Sequence, residues 1–232
     1  MITQFLKNIK RRFERRYDFR YIILNLAEGR YNRFQNIFWD LNAEDIYEKW
    51  GKSYGDYDII SHLIDKYNPY SILDVGCGSG RLFKLYKEKK IVEVMGIDIS
   101  KKALEIAGRD HPEIKTMRLK LEDVDLGDKR FDLVLSNRTL EHITKQKIDL
   151  VIQKLCSLSN LCYINELTDS DDENENKYLF KHNYKDIFGK YGFVIIEKGH
   201  HHKQTWFLFS HRNVSVTNFG SPHNVKFPNS TV

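Results

Sequence analysis

Cysteine is scarce in this chain of 232 residues: Cys77, Cys156 and Cys162 are an odd number, at spacings that match neither a disulfide framework nor a zinc knuckle. All three read as free thiols, and Cys77, inside a glycine loop, as a space-filler rather than a nucleophile. Long apolar runs are lacking as well. No stretch approaches the roughly 20 residues needed to cross a bilayer, and the N-terminus opens on a charged helical pattern where a secretory apolar segment would sit. The expectation is a cytoplasmic protein. Excess charge is also missing from most of the chain: residues 1–20 hold seven bases and two acids, which equals the whole chain's net +5. Electrostatic attraction to membrane, nucleic acid or phosphorylated substrate is thereby confined to one segment.

What remains is 41% hydrophobic and 30% charged, a balance that builds a core and stays soluble. The length suits one α/β domain with appendages. Ile2, Phe5, Leu6, Ile9, Phe13 and Tyr17 recur at helical spacing with the bases largely opposite, an amphipathic basic helix. Such a helix either packs on the domain with its charges in water, the reading favoured here, or makes a peripheral membrane contact through residues 1–20. Aromatic-rich residues 21–50 complete an N-terminal helical cap, which Gly51 and Gly55 interrupt. A second amphipathic helix carries Ile59, Ile60, Leu63, Ile64 and Tyr67 and stops at Asn68 and Pro69.

From Tyr70 short β-rich runs alternate with helical stretches, the pattern of a parallel sheet covered on both faces. SILDV, VEVMGIDI, TMRLKL, FDLVLSN and LCYINEL are five strands, with Ser100 an N-cap after the second. After a helix near Tyr184–Tyr191, GFVIIEKG and TWFLFSH follow with a connection too short for a crossover helix, so they pair antiparallel. The domain spans residues 51–212, and the Asn-, Gly- and Pro-containing residues 213–232 form a loose tail.

The decisive segment is LDVGCGSG, in which Gly76, Gly78 and Gly80 alternate between a strand and a helix. Glycine is needed where the backbone turns sharply and a ligand comes within contact distance. Asp98 ends the second strand in GIDIS, where a carboxylate can accept hydrogen bonds from both hydroxyls of an adenosine ribose. The dinucleotide fingerprint G-x-G-x-x-G is not met, since Arg81 stands where its third glycine falls.

With these motifs the sequence resembles the class I S-adenosylmethionine-dependent methyltransferases over roughly residues 45–210, and especially the small-molecule enzymes whose loops read LDVGCGTG or close to it. The resemblance implies a Rossmann-like fold: a seven-stranded, mostly parallel sheet with one antiparallel strand and helices on both faces. It implies S-adenosylmethionine as cofactor and S-adenosylhomocysteine as product. Asp74 helps hold the methionyl end, the backbone of Gly76, Cys77, Gly78 and Gly80 lines it, Asp98 meets the ribose, and Ile99 is a further cofactor-binding residue. Leu121, Glu122 and Asp123 resemble the stretch that meets the adenine, although Lys120 stands where many relatives place an acid. A solvated turn is the competing reading of Glu122 and Asp123.

SNRTLEHI after the fourth strand resembles the family's LEHI segment at the rim of the transfer site, which places Asn137 beside the cofactor, Arg138 near a substrate and His142 as a candidate general base. His142 capping the backbone is the alternative. The reaction implied is direct displacement on the sulfonium, with no metal. The chain lacks the NPPY or DPPY run of nucleic-acid base amino-methyltransferases, and nucleic acid is not expected as partner. DSDDENEN lacks the glycine and final acid of a calcium loop, and adjacent His200, His201 and His202 cannot all face one ion. His182 and Tyr184 read as core or surface residues before substrate contacts. The acceptor is expected to be small, a sugar, lipid or natural-product intermediate. The rivals are an RNA or protein methyltransferase, favoured only by the basic helix, and a non-catalytic relative that binds the cofactor.

Overall fold

The structure, a computed structural model, describes residues 31–50, 56–171, 179–201 and 203–214. The basic helix of residues 1–20, the break at Gly51 and Gly55, His202, most of DSDDENEN and most of the tail lie outside the described residues.

The elements run α1 (Tyr31–Trp50), α2 (Tyr57–Tyr67), β1 (Ser71–Val75), α3 (Phe83–Glu88), β2 (Glu93–Asp98), α4 (Lys101–Asp110), β3 (Lys115–Arg118), β4 (Leu133–Asn137), α5 (Ile148–Leu158), β5 (Leu161–Glu166), α6 (Tyr184–Lys190), β6 (Phe193–His201) and β7 (Gln204–His211). They form one seven-stranded sheet in the order β3-β2-β1-β4-β5-β7-β6. β1 to β5 are parallel, and β7 inserts antiparallel between β5 and β6. The last strand is thus the single antiparallel one, as its short connection to β6 requires.

Local sequence accounts for the boundaries. Ser100 caps α4 by accepting the Ala103 N–H at 3.1 Å. Asn68 ends α2 in a left-handed conformation (φ 44°) and donates its N–H to the Ile64 carbonyl, after which Pro69 bars continuation. TMRLKL is strand only to Arg118; Leu121–Asp123 form a 3-10 helix, with Leu121 buried in the core.

Alternation within β1, β4 and β5 divides the core between the two faces. Leu73, Val75, Val134, Cys162 and Ile164 pack with Ile148, Val151, Ile152 and Leu155 of α5 and Phe188 of α6. Ile72, Leu133, Leu135, Leu161 and Tyr163 pack with Ile60, Leu63 and Ile64 of α2 and with Phe83 and Tyr86 of α3. All five β1 residues are buried, as a central strand covered on both faces demands. β1 lies between β2 and β4, so the strand order reverses there, and the carboxyl ends of these strands diverge into a crevice. α1 packs on α4: Asp40 accepts hydrogen bonds from Ser100 Oγ at 2.8 Å and the Lys102 N–H at 3.1 Å.

Candidate active site

That crevice is a cleft of about 420 Å³, within the range of small-ligand sites. Its floor is the glycine loop. Gly76 and Cys77 donate their N–H groups to the Ile97 carbonyl at 2.7 and 3.1 Å, which ties the loop to β2. Gly76, Gly78 and Gly80 all have positive φ (71°, 53° and 78°), the conformation that disfavours a side chain. A Cβ on Gly76 would collide with Thr139, whereas one on Gly78 would meet no protein atom within 4 Å. The backbone at Gly78 is therefore bare toward the cleft, ready for a close ligand.

Asp98 is half-buried at the end of β2, and its carboxylate accepts the Gly78 N–H at 2.9 Å and the Ser100 N–H at 2.7 Å. It joins the glycine loop to the start of α4 while its remaining lone pairs border the cleft. Burial raises its pKa, against these backbone donors. Asp74 is buried at the C-terminal half of β1 and accepts the Tyr86 hydroxyl at 3.1 Å. Burial pushes its pKa up to about 7, with the Tyr86 hydroxyl and Arg81 pulling the other way. Burial first, then the charges of Asp98 and Asp74, also drives the Cys77 thiol well up, so it stays neutral. Its sulfur fills space beside Gly96, where a Cβ would lie 2.7 Å from Sγ.

Of the residues singled out in the sequence, Asp74, Gly76, Cys77, Gly78, Asp98, Ile99, Leu121, Glu122, Asn137 and His142 line this cleft. Gly80 and Asp123 do not. Gly80 turns the loop into α3 against Phe83, and Asp123 is exposed on its 3-10 turn. Glu122 is half-buried and paired with Lys147 at 2.7 Å; burial works to raise its pKa and the Lys147 ammonium outweighs it, leaving it lowered. Its carboxylate is thus already engaged in an ion pair.

Several features of the cleft wall and of the residues that support it escaped the sequence. Asp56, 5% exposed, accepts from Arg81 at 3.1 Å and from Asn137 at 2.8 Å and pairs with His201 at 2.6 Å. Burial works to raise its pKa, and those three partners together leave it lowered. Glu166 is fully buried and accepts from Ser136 Oγ at 2.7 Å, the Thr139 N–H at 3.0 Å and the Glu141 N–H at 3.0 Å. Burial, then the neighbouring Glu141 charge, raises it to about 7. α1 supplies Gln35, Trp39, Ala43 and Ile46 to the cleft wall. Trp39 meets the His142 ring edge-on at 4.7 Å, and Gln35 Nε2 donates to the His142 carbonyl at 3.3 Å.

His182 is buried and bonds the Ile143 carbonyl through Nε2 at 2.9 Å, and Tyr184 is buried beside it, so both serve the core. Asp171 accepts from Thr168 and Thr205, and no group of three potential metal ligands occurs among the described residues. Nor is any described helix long and apolar enough to cross a membrane.

Among curated proteins, none matches this sequence. Residues 72–160 match a family described as "Methyltransferase domain". The fold is shared with solved structures at low identity. Magnesium protoporphyrin IX methyltransferase from Synechocystis PCC 6803, with bound SAM, is 19% identical, with a TM-score of 0.55 over 66% of this chain and 76% of that one. DesVI of Streptomyces venezuelae is 16% identical, with a TM-score of 0.60 over 72% and 97%. The 1,6-didemethyltoxoflavin-N1-methyltransferase of Burkholderia thailandensis, solved with bound 1,6-didemethyltoxoflavin and S-adenosylhomocysteine, is 15% identical, with a TM-score of 0.63 over 79% and 89%. The chain thus shares the fold of these methyltransferases, and its glycine loop lies within the segment, residues 72–160, that matches a methyltransferase domain.

Proposed function

We propose that this protein transfers a methyl group from S-adenosylmethionine to a small-molecule acceptor. The observation that carries the proposal is the pairing, at one end of the cleft, of the bare backbone at Gly78 with the Asp98 carboxylate bonded to that same glycine. A ribose needs such a carboxylate, and the methionyl chain needs a loop without side chains. Asp74, at the other side of the loop, is the acid for the methionyl ammonium, and Ile99 and Leu121 give the adenosine an apolar surface. Asn137 borders the same space from β4.

Bound S-adenosylmethionine supplies an already activated methyl group on a sulfonium centre. What falls to the protein is alignment, exclusion of water and, for a hydroxyl acceptor, removal of a proton. α1 contributes Trp39 and Ile46 to the wall, apolar surface suited to excluding water. His142 lies on that wall and is the group assigned to take or orient the acceptor's proton. A small acceptor suits a cleft of about 420 Å³, and two of the structural neighbours named above are methyltransferases of small molecules by their own names. The rival RNA or protein acceptor rests on the basic N-terminal segment.

The test has two arms. Calorimetry with S-adenosylhomocysteine and with a nicotinamide dinucleotide should give binding of the first alone. S-adenosylhomocysteine formation should then follow addition of small-molecule extract and not of RNA or protein; binding without turnover on any fraction would mark a non-catalytic relative.

A further inference from the structure

Three described residues other than glycine have a positive φ: Asn68, Lys90 and Arg138. Asn68 ends α2 and Lys90 follows the end of α3, where helix termination explains the conformation. Arg138 (φ 60°) terminates no helix; it follows β4 directly, on the wall of the cleft. The turn is held from behind: the Arg138 N–H donates to the Asn165 carbonyl at 2.9 Å, and the next N–H, of Thr139, to Glu166 at 3.0 Å. Glycine would adopt this turn at lower cost, so the side chain, not the backbone, is what the position offers.

That side chain is only loosely engaged. It is 50% exposed, and Nε stands 3.8 Å from Glu141 Oε1, an ion-pair distance beyond hydrogen-bond length. The other Glu141 oxygen accepts the Leu167 N–H at 3.0 Å. Among the described residues no hydrogen bond reaches the terminal nitrogens of Arg138, whereas Arg81, the other arginine of the cleft, is bound to Asp56 at 3.1 Å. The buried Glu141 orients the guanidinium without saturating it. Trp39, His142 and Ile143, none of them among the residues assigned to the cofactor, line the same cleft.

We infer that Arg138 recognises the acceptor, and that the acceptor is a small molecule carrying an oxyanion, a carboxylate or phosphate, that the guanidinium fork holds in two parallel hydrogen bonds. This deepens, and rests on, the methyltransferase reading above. The gripped anion anchors the acceptor and is not the methylated atom, since two hydrogen bonds from a cation draw off the electron density that attack requires.

The test starts from a small-molecule extract filtrate divided by anion exchange, with S-adenosylhomocysteine formation as readout. Activity is expected in the retained fraction; phosphatase treatment abolishes it for a phosphate anchor and spares it for a carboxylate. Arg138→Gly suits the left-handed turn and removes the fork, so it should keep wild-type thermal stability and S-adenosylhomocysteine affinity while losing about tenfold or more in kcat/KM on that fraction. Arg138→Lys, which keeps the charge without the fork, should fall between. Activity confined to the unretained fraction, or a glycine variant with wild-type kcat/KM, would overturn the inference. Failure of the wild-type protein to bind S-adenosylhomocysteine would instead overturn the methyltransferase reading.

Discussion

Gly76 and Thr139 compete for one place: a Cβ built on Gly76 lies 2.0 Å from Thr139 Oγ1 and 2.6 Å from its Cβ. The loop after β1 and the loop after β4 therefore touch through a missing side chain, and the cleft between them depends on that contact.

Gly76→Ala should accordingly be among the most damaging small changes in the chain. It adds a clash to a backbone at φ 71°, and together these cost about 2 to 4 kcal/mol of stability. Adding Thr139→Gly removes the clash and leaves the left-handed penalty, so the double variant should recover part of the loss in chemical denaturation. Equal stability of the single variant and wild type would contradict the contact.

Asp98→Ala should weaken S-adenosylhomocysteine binding roughly tenfold to a hundredfold, the worth of a charge-assisted hydrogen bond. Because the carboxylate also holds the Gly78 and Ser100 N–H groups, melting temperature should fall too. Asp98→Asn keeps one acceptor oxygen and should lose less in both. Calorimetry and thermal melts together separate ligand contact from loop support.

pH gives a third handle. Asp74 and Glu166 are both raised to about 7 by burial, and Glu166 also by Glu141, so each stays protonated in the folded state where the unfolded chain has ionised. Their stabilisation is complete below the unfolded pKa and is lost as pH rises toward about 7, at roughly 1.4 kcal/mol per pH unit for each group. Asp56 and Glu122, both lowered, act in the opposite sense: their stabilisation is present above the usual carboxylate range and lost in acid. Asp74→Asn should flatten the decline approaching pH 7. If Asp74 also pairs with the methionyl ammonium, cofactor binding below pH 7 releases a proton and tightens as pH rises. Calorimetry in two buffers of different ionisation enthalpy measures that release, and an unchanged value in Asp74→Asn would remove the role.

Much of this was legible in sequence because it is local. The strands showed as short β-rich runs, and Ser100 and Asn68 announced their helix boundaries by residue type. The glycine loop and Asp98 form a motif with fixed spacing. Asp56, Glu141 and Glu166 were invisible for the opposite reason: each gains meaning from partners far along the chain, such as Asn137 for Asp56 and Ser136 for Glu166. Gly96 went unread inside an ordinary strand because only the fold brings Cys77 and Phe83 over it. Asp123 is exposed on its 3-10 turn while Glu122 beside it lines the cleft, a difference of face that adjacency in sequence does not reveal.

His142 permits the sharpest functional test. Its N–H donates to the Thr139 carbonyl at 3.1 Å and its carbonyl accepts from Gln35 at 3.3 Å, so the backbone is anchored whatever side chain stands there. The ring has two candidate roles, proton transfer and packing against Trp39 at 4.7 Å. His142→Phe keeps an aromatic ring against Trp39 and removes the nitrogens; His142→Ala removes both. If the ring is the base, the two variants should lose kcat alike, by about a hundredfold to ten-thousandfold, with S-adenosylhomocysteine affinity near wild type. A base must be unprotonated to act, so the acid limb it gives the wild-type rate should vanish in both. If the ring only packs, the phenylalanine variant should keep wild-type kcat and pH profile while the alanine variant loses thermal stability.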